Sequence, residues 1–73
     1  SRDYRLELFD RDVMRDYNRA EKENPGSWSV ESMLDGKTYT DPHAYIEHVR
    51  EASDIAPAPD GLDWEKLQAV LRR

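Results

Sequence analysis

Seventy-three residues without cysteine make one small domain that neither disulfides nor thiolate metal sites brace. A chain of this length buries only roughly 60% of its unfolded surface, so a substrate cavity of ~300 Å³ would consume much of the core. No apolar run approaches the ~20 residues of a membrane span and no signal-peptide pattern is present, so a cytoplasmic protein is the expectation.

The net charge of −5 is unevenly spread. Residues 1–22 balance, residues 23–65 carry −8 with only Lys37 and Arg50 as bases, and residues 66–73 carry +3. An acidic middle repels nucleic-acid phosphates and attracts basic surfaces.

Residues 3–23 read as a long helix. Leu6, Phe9, Val13, Tyr17 and Ala20 recur at spacings of three and four, on one narrow stripe. Arg11, Arg15, Arg19 and Lys22 form a second stripe on the opposite face, at about 100° per residue. Tyr4 and Leu8 fall off the apolar stripe, and a strand over residues 4–8 would gather Tyr4, Leu6 and Leu8 on one face. Both readings of that segment stand.

Asn24, Pro25, Gly26 and Ser27 stop the helix and turn the chain. Residues 29–35 suit a short helical turn, capped by Ser29 and ended by a left-handed Gly36. Trp28 and Val30 suit the start of an extended segment instead. Residues 37–40 favour β structure but are few.

Residues 40–53 hold the clearest local signal. Asp41 can accept a hydrogen bond from a free first-turn N–H, and Pro42 lacks a donor that would go unpaired. Tyr45, Ile46, Val49 and Ala52 then form an apolar stripe, which predicts a helix over 42–52. Pro57 and Pro59 end any helix beyond it. Asp63 opens the last helix, over 64–71, with Leu62 and Leu67 as a hydrophobic staple. Arg72 and Arg73 suit the negative end of its dipole. The fold expected is mainly α, a small domain of three to four helices; the alternative is α+β, with a short N-terminal strand in a small sheet.

Little here carries chemistry. His43 and His48 diverge by about 140° on a helix, and His43 with Glu47 supplies too few ligands for a closed zinc site. No serine sits in a nucleophile elbow, and each glycine stands alone, so no phosphate cradle forms. No catalytic residue, cofactor or metal is expected, and the chain reads as no enzyme.

The basic face of Arg11, Arg15, Arg19 and Lys22 is the nucleic-acid candidate, but Asp12 and Asp16 interrupt its field. The residues expected to bind a partner are Trp28, Glu31, Asp35, Tyr39, Glu47, Glu51 and Asp54: acids of the middle segment, with Trp28 and Tyr39 either as aromatic anchors or as core packing. The function expected is a non-enzymatic, acidic protein-binding module that inhibits or regulates a larger machine with a basic surface. Small acidic inhibitors of host polymerases, nucleases and CRISPR effectors among phage and mobile-element proteins are the class-level analogy. The alternative is a nucleic-acid-associated regulator using the basic face.

Overall fold

The computed structural model describes residues 2–55 and 61–71. Helix α1 (Arg2–Glu23) is followed by strands β1 (Val30–Glu31) and β2 (Thr38–Tyr39), then helices α2 (Pro42–Ile55) and α3 (Trp64–Leu71). The domain is mainly α with a two-stranded antiparallel sheet. Helix α1 packs on both other helices, β2 lies against α2, and β1 lies against α3.

The apolar stripes meet as their spacing predicts. Phe9 and Val13 of α1, Tyr45, Ile46 and Val49 of α2, and Leu67 and Leu71 of α3 share one core with Trp28 and Val30. Leu6 is buried on the same stripe, and Tyr17 and Ala20 pack partly against the core. Residues 4–8 are helical, which excludes the N-terminal strand. The reason is register. A helix puts Leu6 and Phe9 into the core together and leaves Tyr4 in solvent, whereas a strand would have buried Tyr4 instead.

The small sheet forms elsewhere. Val30 pairs with Tyr39 and Glu31 with Thr38, so the two short β-favouring pieces pair with each other. The helical turn expected over 29–35 is corrected to a strand followed by a turn over 33–35. Val30 is buried, and that burial outweighs the weak capping signal of Ser29. Gly36 does take a positive φ of 73°, which lets its N–H reach back to the Ser32 carbonyl at 2.8 Å.

Both predicted helix starts are built. The Asp41 carboxylate accepts from His43 N–H at 3.0 Å, and the Asp63 carboxylate accepts from Lys66 N–H at 3.2 Å. Leu62 packs partly into the core that buries Leu67. Helix α2 runs three residues past its predicted end, with Ser53 buried on its last turn. Pro57, Pro59, Arg72 and Arg73 lie outside the described residues.

Two expected outcomes follow from caps and core. Asp41→Ala should lower stability by roughly 0.5–2 kcal/mol, read from the midpoint of chemical denaturation. Leu67→Ala should cost about 2–5 kcal/mol, enough to unfold much of so small a domain. Wild-type-like melting of Leu67→Ala would mean that α3 is not docked on α1.

Candidate functional site

The tip of the β-hairpin is held by a set of hydrogen bonds among residues 32–39. Ser32 N–H donates to the Lys37 carbonyl at 2.8 Å, and Leu34 N–H donates to the Ser32 hydroxyl at 3.1 Å. The Asp35 carboxylate bridges the turn, accepting from Lys37 N–H and from the Tyr39 hydroxyl, each at 2.9 Å. Short polar side chains bonding to backbone two residues on are what Ser and Asp do in turns.

Helix α2 locks this tip from below through His48. Its ring stacks on Tyr39 with centroids 4.8 Å apart, and its Nε2 lies 2.8 Å from the Ser32 hydroxyl and 3.7 Å from the Asp35 carboxylate. Backbone donation from Lys37, with the hydroxyl of Tyr39 and the charge of His48, holds the Asp35 carboxyl below its ordinary pKa against the opposing effect of burial. Burial and the hydrogen bond to Asp35 push the Tyr39 phenol up.

Ser32, His48 and Asp35 together suggest a catalytic triad, but the geometry is that of a structural clasp. A relay needs serine and carboxylate on opposite ring nitrogens, so that one takes the proton while the other orients the ring. Here both approach the same atom, Nε2. The serine is also 1% exposed, closed off from any substrate. His43 is exposed on α2 and His48 faces the hairpin, so the two histidines do not converge. Among the described residues no three His, Asp or Glu side chains are placed to share a metal ion.

The residues expected to bind a partner divide into three groups. Asp35, Tyr39 and Glu51 share one face with His48: the Glu51 charge reaches the Tyr39 phenol, and Glu47 is one helical turn before Glu51. Glu47 carries Arg50 at 3.6 Å. Asp54 is exposed on the last turn of α2. Glu31 is separate. Its neighbour Val30 points into the core beside Tyr39, so strand alternation turns Glu31 to the outer face of the hairpin.

Trp28 is the correction. It is 5% exposed, packed edge-on to Tyr17 at 5.7 Å, and its indole N–H donates to Asp16 at 2.9 Å. Its ring fills the core where the chain returns across α1, so it is no surface anchor. The residues that sequence reasoning missed are Met33 and Leu34. They stand at the turn with 48% and 39% exposure, large apolar side chains on a rigid tip. The only signal available was that neither fits an apolar stripe.

The basic face is present and largely answered from within. Arg15 pairs with Asp12 at 3.3 Å and Arg19 with Asp16 at 2.6 Å. Each aspartate gives its other oxygen to the fold, Asp12 to Gln68 of α3 at 2.7 Å and Asp16 to Trp28. Arg11 and Lys22 have no ion pair among the described residues. The chain matches no protein-family model, and comparison with curated proteins and with solved structures finds no match. Among the described residues, no helix is long and apolar enough to cross a membrane.

Tyr45 supplies a test of the packing beneath this face. Its hydroxyl is buried without a hydrogen-bond partner among the described residues, and burial, with the Asp35 charge second, pushes its pKa up to about 12. Between the ordinary value of 10.0 and about 12 the unfolded phenol ionises while the folded one stays protonated, so stability falls as pH rises through that window. Tyr45→Phe should be neutral or stabilising at pH 7 and should lose less stability between about pH 10 and pH 12, measured by urea denaturation. A loss of more than ~1.5 kcal/mol at pH 7 would show that the hydroxyl has a partner after all.

Proposed function

We propose that this chain is a non-enzymatic protein-binding module. Its α2–hairpin face docks on a basic surface of a larger macromolecule, with Met33 and Leu34 as the apolar anchor. One observation carries the reading: a turn clamped by Ser32, Asp35 and His48 nonetheless presents two large apolar side chains to water. A few anchors ringed by residues that exclude water carry most of the energy of an interface, methionine is enriched at such surfaces, and pre-organised anchors lose little entropy on binding. Asp35, Glu47 and Glu51 lie around or near this tip and supply the charge that steers encounter.

Occlusion of the partner's surface is the mode of action, as in small acidic inhibitors of polymerases, nucleases and CRISPR effectors; that comparison is one of class. Regulation through nucleic acid bound on the Arg11–Lys22 face is the rival. It has less support, because Asp12 and Asp16 already engage two of its arginines.

The two parts of the face should separate kinetically against a partner isolated by affinity capture. Glu47→Gln with Glu51→Gln should lower the on-rate and flatten its salt dependence. Asp35 is kept in that variant because it holds the turn. Met33→Ser with Leu34→Ser should raise the off-rate by at least about fivefold and leave circular dichroism unchanged. Unchanged rates in both variants, at low and high salt, would overturn the proposal. Duplex DNA binding that weakens steeply with salt would favour the rival.

A further inference from the structure

One side of α1 carries a shallow, open depression of about 570 Å³. It is lined by Arg11, Met14, Arg15, Asn18, Arg19 and Lys22. The floor is apolar, formed by the Met14 thioether with the hydrocarbon stems of the basic residues, and the rim is cationic. Asp12 and Asp16 subtract two charges from four but turn part of each carboxylate toward α3 and Trp28, so the rim keeps a positive balance.

The hairpin tip complements this groove in charge and in apolar character. Met33 and Leu34 project from it, Glu31 and Asp35 flank them, and Lys37 is the base beside them. The segment that bears the tip carries −8 between residues 23 and 65. Both features lie on one chain. The tip is not among the residues that line the groove of its own molecule.

We propose that the Met33–Leu34 tip of one copy seats in the Arg11–Lys22 groove of another, so that the chain associates head to tail with itself. Such a contact is heterologous: tip and groove are different surfaces, and each copy keeps one of each free for a further neighbour. The area is small and the net charge of −5 on each copy opposes approach, so association belongs at high concentration. The inference does not rest on the partner reading, since its test uses this chain alone. If both hold, self-association hides the anchor, and a partner must compete for it.

Sedimentation equilibrium up to about 1 mM provides the test. Wild-type weight-average mass should rise with concentration beyond that of a dimer. Met33→Ser with Leu34→Ser removes the tip; Arg11→Glu with Lys22→Glu spoils the groove at two residues that hold no ion pair among the described residues. Each variant, with folding checked by circular dichroism, should stay monomeric. An equal mixture of the two should form dimers and stop there, because the first still offers a groove and the second a tip. The proposal is overturned if the wild type stays monomeric, if either variant still associates, or if the mixture remains monomeric while the wild type does not.

Discussion

The structure depends on one ring. Tyr45 of α2 lies within 5.8 Å of Phe9 on α1, 6.4 Å of Trp28 on the connection, 5.4 Å of Tyr39 on β2 and 6.2 Å of His48 on its own helix, measured between ring centroids. Helix, connection and hairpin therefore share a single side chain that is fully buried. Aromatic pairs add about 0.5–1.5 kcal/mol each beyond their area, a sizeable share of the stability available to a domain this small. The same placement explains the orphaned hydroxyl. The ring is fixed by four neighbours, so the oxygen goes where the ring leaves it.

A second constraint acts through Asp12 and Asp16. Each carboxylate uses one oxygen for an arginine of its own helix and the other for a donor from elsewhere in the fold. The arginines hold the carboxylates in orientation, and the carboxylates accept from Gln68 and the Trp28 indole. Exposed pairs of this kind are worth little as isolated ion pairs. Here their value is positional, because the Trp28 hydrogen bond spans a ring that closes the core. The basic face is thus partly a by-product of fixing the other side of α1.

The helices were legible because their signals are local. Asp41 with Pro42, and Asp63 with Leu62, are decided within a few residues of chain, and the three apolar stripes follow from spacing alone. The site was legible only in part. Asp35, Tyr39, Glu47 and Glu51 come together as a charged aromatic face, but Glu31 does not join them, since that depends on which strand partner Val30 finds. Trp28 stood open between core and interface. A tryptophan in a connection is surface or core according to where the chain returns, and Asp16, Tyr17 and Tyr45 receive this one into the core. The clasp of Ser32, Asp35 and His48 joins residues up to sixteen apart and leaves no periodic trace.

The exposure of Met33 and Leu34 is the feature that the fold itself does not require. The turn is closed by Ser32, Asp35 and Gly36, whose backbone and side-chain bonds would form whatever stood between them. Small polar residues at 33 and 34 would satisfy that geometry and avoid the unfavourable hydration of apolar surface, at roughly 25 cal/mol for each Å². A looser turn would let these side chains fold back onto the domain. The contacts of His48 and Asp35 brace the turn, so bracing and apolar exposure occur at the same place. Ile55 is more exposed still, but it ends α2 next to residues outside the described chain, and its exposure has no comparable frame. The tip therefore carries an apolar pair that stands outside the core cluster.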